Sequence, residues 1–584
     1  MSNPNRSKVL LSSILFVFIF AFQANAQDED NLGTEVVNVV KPYTPEIGDA
    51  FKVKATPQLN DSVNTAKKKV TYGIFSVPVA STFTPAKGKA ATVEQAKRVK
   101  LYDNYVTLGF GTYTSALAEF YSNFEVSRSD NFGIYLNHNS SQGGIEDIAL
   151  DDKFYDTNLN LNYSSRNRGI NWRTDLDLSH QLYNWYGVDD FTAASPETLT
   201  NIDPQHSFYG AKVGGSLELY DSFFKGGKAQ IGYFGDSNSS SEIRAIVAPT
   251  FNFPITDEDI TLGLKLDYVN GSFDRNYDNT QDISYSQLNI SASPSLQILR
   301  DDLTLRLGVT AAVNLDTENS TTNFYLYPKV TASYRVVDEY FIAYAGVEGE
   351  LEQNSYQDFV NENPFVSPTL LIQSTDKPYE GYVGMKGKIV NTVGYNLRAN
   401  YASENNKALF KNNSRYNDGA GSLGNEDYQF GNSFDVVYDD VKTFSVFGEL
   451  NLDVNSNLKM RINGEFFSYN SSNEAEAWNL PSYKASLFAD YQISEEWFAG
   501  ANLFLVGERN DETYVTGPTT QYFATPVTLE SYFDANAHVG YRINDQLSAF
   551  ARVNNILDNG YDKWVNYPVQ GLQVMAGATY KFDF

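Results

Sequence analysis

The sequence predicts an all-β protein: a transmembrane antiparallel β-barrel of about 22 strands behind a short irregular N-terminal periplasmic segment. Three observations carry this. The chain ends on an amphipathic strand, in which Val574, Ala576, Ala578, Tyr580, Phe582 and Phe584 share one parity and Gly577, Thr579, Lys581 and Asp583 the other. Side chains alternate across a strand, so one face is apolar and the other polar; an outer-membrane barrel turns the apolar face to lipid and ends in an interfacial aromatic girdle. Windows with the same alternation recur from Asn104 onward, and tight turns alternate with long links along the chain.

Composition agrees. The chain is rich in Tyr (40), Phe (39) and Gly (40) and shows no sustained period of 3.6. A mean hydropathy of −0.38 is no objection, because a barrel needs only every second strand residue apolar.

Taken in order, residues 1–26 read as a signal peptide. Arg6 and Lys8 precede the apolar run Val9 to Phe22, and Ala24-Asn25-Ala26 is a small-x-small cleavage site, so the mature chain is expected to begin at Gln27. That run is too short for a membrane helix, and no later stretch reaches about 18 apolar residues, so insertion must be as a barrel. With no Cys in the chain, lipid attachment at cysteine, disulfides and thiolate metal sites are excluded.

Residues 27–100 differ from the rest, holding five of the nineteen prolines and eleven Lys or Arg against eight Asp or Glu, a net of +3. Taking this and the +2 of residues 1–26 from the whole-chain −27 leaves −32 for residues 101–584. The reading is a periplasmic segment, too small for a large core of its own, followed by the barrel at 101–584.

Within the barrel, Leu303, Leu305, Leu307, Val309, Ala311 and Val313 oppose Thr304, Arg306, Gly308 and Thr310. Leu262, Leu264, Leu266 and Tyr268 oppose Gly263, Lys265 and Asp267; Leu159, Leu161 and Tyr163 oppose Asn158, Asn160 and Asn162; Leu458, Met460 and Ile462 oppose Lys459, Arg461 and Asn463. Charges on the inner parity imply a wet lumen. Tight turns at 128–131, 166–168, 300–302, 336–339, 391–393, 453–457, 493–496 and 543–546 are expected on the periplasmic side. The links 140–153, 184–206, 353–377, 406–424, 508–529 and 554–570 are expected outside. Their alternation gives about 22 strands if 433–453 is one long strand, and both barrel ends on the periplasmic side require an even number. The terminal aromatics Tyr580, Phe582 and Phe584 are the expected signal to the barrel-assembly machinery.

The run Phe550-Ala551-Arg552-Val553-Asn554-Asn555-Ile556-Leu557-Asp558-Asn559-Gly560-Tyr561, with Tyr567-Pro568 and Gly571, resembles the end of TonB-dependent receptor barrels. Leu572 stands where that family commonly has Arg. Tyr379 to Gly387 and Phe447-Gly448-Glu449-Leu450 also look like its late strands. The resemblance implies a 22-stranded barrel and uptake across the outer membrane. It also implies a globular plug of well over a hundred residues, for which the 74 mature residues 27–100 leave no room. In that segment Glu35-Val36-Val37-Asn38-Val39-Val40 looks like the family's TonB box, a segment captured by strand addition, or is a plain β-prone anchor.

Little points to chemistry. His138, His180, His206 and His538 are scattered, without the spacing of a metal pair or of a nucleophile's base, so no enzyme and no catalytic residue is expected. Asp274, Asn276, Asp278, Thr280 and Asp282 offer oxygens at every second position, as a Ca2+ loop does, but lack its Gly and closing Glu, and an acidic polar loop is the other reading. No other cofactor is expected. The loop aromatics Tyr183, Trp185, Tyr186, Phe359 and Trp564 suit either sugar stacking or packing. The acidic barrel disfavours nucleic acid. Expected partners are outer-membrane lipids and lipopolysaccharide, the barrel-assembly machinery, and TonB or a periplasmic or lipoprotein partner. The function expected is transport of a solute across the outer membrane, the lumen occluded by 27–100 or by loops such as 353–377 and 508–529. The alternative is a scaffold barrel capped by partner proteins.

Overall fold

A computed structural model describes residues 100–188, 195–255, 258–278, 281–415, 426–516 and 522–584. Residues 1–99, with the expected signal peptide and Glu35–Val40, and Thr280 lie outside the described residues. Twenty-two strands, from Asn104–Gly111 to Gln573–Phe582, form one antiparallel sheet. Each barrel strand pairs with the next, and the first pairs with the last in the register Leu108↔Ala578 and Thr107↔Thr579. Closure leaves no edge, which a bilayer demands because it offers no water to bare N–H and C=O groups. Lys100 Nζ reaches Asp583 Oδ2 at 2.8 Å and the Asp103 N–H donates to Asp583 Oδ1 at 3.1 Å, which fastens the two barrel ends side by side.

The parity read from the sequence is the parity of the wall. Leu307, Leu266 and Phe444 face outward and are exposed, whereas Asp267, Thr310 and Ser445 face inward and are buried among lumenal neighbours. Outward residues are bare of protein because lipid is their solvent. We therefore expect Leu307→Lys to destabilise the barrel by roughly 2–4 kcal/mol near the bilayer midplane. The inward Thr310→Lys should be milder, and urea titration in lipid vesicles compares the two.

One end of the barrel has short links throughout. Its girdle includes Phe584 stacked on Phe124 at 5.4 Å, Tyr163 on Trp172 at 5.4 Å, and Trp497 against Tyr541 at 4.8 Å. At this end Asp301 and Asp338 take positive φ of 41° and 40° to close their turns. The opposite end carries the long links 142–153, 185–204, 353–374, 413–433, 472–482, 507–531 and 555–572, together with the two described helices, Pro196–Leu199 and Tyr356–Glu362. Residues 433–453 do form a single strand, Phe434–Asp453. The expected link 406–424 is displaced, however. Val393–Asn412 continues outward past a register shift between Glu404 and Lys407, so the link begins at 413.

Candidate functional site

The long links do not stand away from the barrel; several fold back over its mouth. Their anchor is the helix Tyr356–Glu362. Ser355 accepts the Asp358 N–H at 3.1 Å as N-cap. The buried carboxylate of Glu242, on the lumenal face of Ser241–Ile255, accepts the Tyr356 N–H at 2.7 Å, the Gln357 N–H at 3.3 Å and the Tyr285 hydroxyl at 2.7 Å. A carboxylate suits that place, where helix N–H groups lack partners of their own. Beside it, Arg244 donates through Nε and Nη2 to both oxygens of Asp267 at 2.9 Å and through Nη1 to Asp358 at 2.6 Å. Asp267 is 1% exposed, so this forked pair fixes the start of the helix to the inner wall.

The apolar face of the helix then crosses the mouth. Tyr356 packs edge-on against Phe208, Phe234 and Phe273, and its hydroxyl donates to Asp236 at 2.7 Å. Phe359 meets Phe410 edge-on at 5.9 Å. Phe208 belongs to the sixth strand and Phe410 to the fifteenth of the ring of 22, so one short helix touches nearly opposite sides of the barrel. It does so from within, because Phe208, Phe234 and Phe273 share the lumenal parity.

Other links close around it. Val366 forms a parallel bridge with Phe434; the Ser367 N–H donates to Phe434 O at 2.8 Å and the Phe434 N–H to Phe365 O at 2.9 Å. Tyr567, from the last long link, lies 3.7 Å from Phe365 in a near-parallel stack, meets Tyr186 edge-on at 4.9 Å, and donates its hydroxyl to Asn432 O at 2.6 Å. Tyr186 in turn donates to Pro568 O at 2.9 Å. Trp564 packs on Phe410 and Phe434. These rings, with Trp185, Val360, Leu370 and Tyr428, form one buried apolar cluster. The loop aromatics that the sequence left open between sugar stacking and packing are thus packing residues. Tyr183 and Tyr186 lean on the cluster, and Trp185, Phe359 and Trp564 are inside it.

The link 507–531 contributes a two-stranded hairpin, Arg509–Thr516 with Tyr522–Leu529. Arg509 donates to Asp562 O at 2.7 Å and also to Lys563 O, joining the hairpin to the last link. Asp511 is fully buried and accepts from Asn412 N at 2.9 Å, Asn479 Nδ2 at 2.8 Å and Glu512 N at 2.8 Å. Burial pushes its carboxyl up to about 6. Because this value lies above the unfolded one of about 3.9, the contribution of Asp511 to hairpin stability is full below about pH 4 and is lost as pH rises through about 6. The Asn412 and Glu512 amides should therefore be better protected from hydrogen exchange near about pH 5 than near about pH 8, after correction for intrinsic rates. Asp511→Asn should flatten that difference.

Beneath the cap the wall is polar. Asn160 donates to Asp177 at 2.6 Å, Ser445 to Glu465 at 2.7 Å and Ser486 to Asn463 at 2.8 Å. A cavity of about 410 Å³ on the wall is lined by Lys265, Lys329, Lys377, Glu348 and Glu380, with Lys377 Nζ 3.6 Å from both Glu350 and Glu380.

The structure scatters the remaining candidates. His138 bonds to Thr157 at 2.7 Å and Ser140 at 3.1 Å, His180 stacks on Tyr209, His206 is buried on Trp185 at 3.8 Å, and His538 packs near Phe498. In the segment 274–282, Asp274 pairs with Arg275 at 3.0 Å, Asn276 accepts the Gln281 N–H at 3.4 Å, Asp278 and Asp282 lie in the same link, and Arg275 pairs with Glu426. Tyr277 donates to Ser414 O at 2.6 Å, so this link braces 413–433. Among the described residues no three His, Cys, Asp or Glu side chains gather at metal-binding distance. Tyr580 and Phe582 stack at 5.8 Å on the outward face, and Phe584, 84% exposed, ends the girdle.

No family model matches the sequence, and no curated protein matches it. Solved structures do. The pyoverdine outer membrane receptor FpvA from Pseudomonas aeruginosa PAO1 is 14% identical, with 84% of this chain and 80% of that chain covered and a TM-score of 0.60. The siderophore receptor PirA from Acinetobacter baumannii is 14% identical over 83% of this chain and 81% of that one, at 0.59. The ferric-catecholate import receptor Fiu from E. coli K12 is 12% identical over 82% of each, at 0.58. At such identities the likeness establishes the fold alone, a closed antiparallel barrel of 22 strands.

Proposed function

We propose that the chain is an outer-membrane transport barrel that moves a solute through its polar lumen, held closed at the outer mouth by its own links 353–374, 413–433 and 555–572. The observation that supports this most is the helix Tyr356–Glu362, which touches the sixth and the fifteenth strands from inside the ring above a wall of amides and charges. A wall of that kind solvates a passing solute, and a cap fastened by side chains can be released without breaking the sheet. Residues 27–100 are proposed to lie at the periplasmic side and contact a partner without sealing the lumen, and Glu35–Val40 to be the strand that TonB captures; Pro at Val37 and Val39 removes the donors needed for that capture.

Polymer exclusion tests the conduit. In planar bilayers, a variant whose cap is removed should admit small neutral polyethylene glycols from both faces. A cap-free variant that still excludes them contradicts transport. The second reading, a scaffold barrel, is favoured by one feature: the cap is packed like a protein core, with Phe208, Tyr356, Val366 and Phe434 almost fully buried. A stoichiometric partner in native pull-downs, together with a cap-free barrel that stays sealed, would select it.

A further inference from the structure

Where the first and last strands meet, the lumenal wall holds a second cavity, outside the apolar cluster of the cap and reached by the last long link through Gln570. It is about 290 Å³, at the small end for a ligand pocket. Tyr113 and Phe154 supply aromatic surface, Leu117 lies on the apolar side, and Asn139, Glu119 and Arg552 supply polar groups.

Its chemistry is balanced in sign. Glu119 accepts one hydrogen bond from Asn137 at 3.4 Å. Arg552 lies over the Phe550 ring at 5.8 Å and, among the described residues, has no carboxylate within ion-pair distance. Asn139 is exposed and its amide makes no hydrogen bond among the described residues. A bound anion would meet Glu119 and a bound cation would meet Arg552. A neutral molecule with many hydroxyls meets donors and acceptors of both kinds, and its C–H faces suit aromatic rings.

The aromatic side of the cavity is held by a strained backbone. Tyr113 (φ 56°, ψ 28°) and Thr114 (φ 51°) are consecutive residues in the left-handed region, which bulky side chains rarely occupy. The Gln142 N–H donates to Tyr113 O at 2.9 Å. Gly144, at φ 110°, lies so close that a Cβ there would overlap the Tyr113 ring. The 142–144 segment therefore fixes where that ring stands.

We propose that this cavity binds a neutral pyranose sugar unit, with Tyr113 as the aromatic surface and Glu119, Asn139 and Arg552 as hydroxyl partners. The site stands on its own geometry and holds whether or not the barrel conducts. The test is saturation-transfer NMR and calorimetry on the full chain in detergent, with glucose, galactose and N-acetylglucosamine as neutral probes and gluconate and glucosamine as charged ones. At least one neutral probe should bind saturably and more tightly than either charged probe. Tyr113→Ala should weaken it by about tenfold or more. Gly144→Val, which displaces the ring without touching the polar groups, should do the same, and heat-dependent gel mobility reports that both variants keep the barrel. Absence of saturable binding by every neutral probe, preference for gluconate or glucosamine, or unchanged affinity in both folded variants would each overturn the proposal.

Discussion

Replacing Tyr356–Glu362 by a Gly-Ser linker of equal length should open the outer mouth while leaving the sheet intact. The exchange removes Tyr356, Phe359 and Val360 from the apolar cluster. Burial of such side chains stabilises by roughly 1.5–3 kcal/mol each, so the cap loses several kcal/mol. It also takes the two helix N–H donors from Glu242 and the Asp358 carboxylate from Arg244, which keeps Asp267, Gln353 O and Ser355 as partners. The strands keep their ladder, because their backbone hydrogen bonds run to neighbouring strands. The expected readout is a large, steady ion conductance in planar bilayers with unchanged heat-dependent gel mobility. A variant that folds and stays silent would show that the helix is not what spans the mouth.

Tyr567→Ala should loosen four links at once. The ring is 1% exposed, stacks on Phe365, meets Tyr186 and bonds to Asn432 O, so it joins the links 555–572, 353–374, 185–204 and 413–433. Truncating a large buried aromatic leaves a cavity and typically costs about 3–5 kcal/mol. Tyr567→Phe removes only the hydroxyl and should cost nearer 1 kcal/mol. Hydrogen exchange should rise at Val366, Ser367 and Phe434 in the Ala variant, barely change in the Phe variant, and stay flat at lipid-facing strands in both. A Cβ at Gly187 would overlap the Tyr567 ring, so Gly187→Ala should resemble Tyr567→Ala. Exchange confined to residues 555–572 would mean that the links do not act as one unit.

The barrel was legible because its signal is local and repeated. A parity set at Leu303, Leu305 and Leu307 holds along a whole strand, and a membrane leaves no other way to satisfy it. Even the long strand Phe434–Asp453 could be read through Asp439. That carboxylate turns aside to accept N–H groups of Ser472, Asn473 and Glu474 at 2.9–3.0 Å. Three connections at the end that carries the long links, 237–240, 317–320 and 112–115, are as tight as the turns at the other end and were not anticipated. Asp236 explains the first, since it accepts the N–H groups of Asn238 at 2.9 Å and Ser240 at 2.8 Å and closes the turn itself.

The cap was not legible in the same way. Its contacts join residues more than a hundred positions apart, such as Tyr186 with Tyr567 and Arg244 with Asp358. Each side chain involved would suit an exposed loop equally well. Glu242 carried no signal, because a Glu on the lumenal parity is ordinary until a helix start is set against it. The clue available was the clustering of aromatics and Trp in links 184–206, 353–377 and 554–570, where surface loops seldom need them.

The central claim is that the chain closes its own outer mouth. Single-channel recording of the unmodified, full-length protein, purified free of partners and reconstituted in planar bilayers, tests it most directly. The unmodified chain should insert as a barrel, shown by heat-dependent gel mobility of the same sample, yet carry no steady large current until the helix Tyr356–Glu362 is removed. A stable wide pore in the unmodified chain would contradict it and place the closure in another protein.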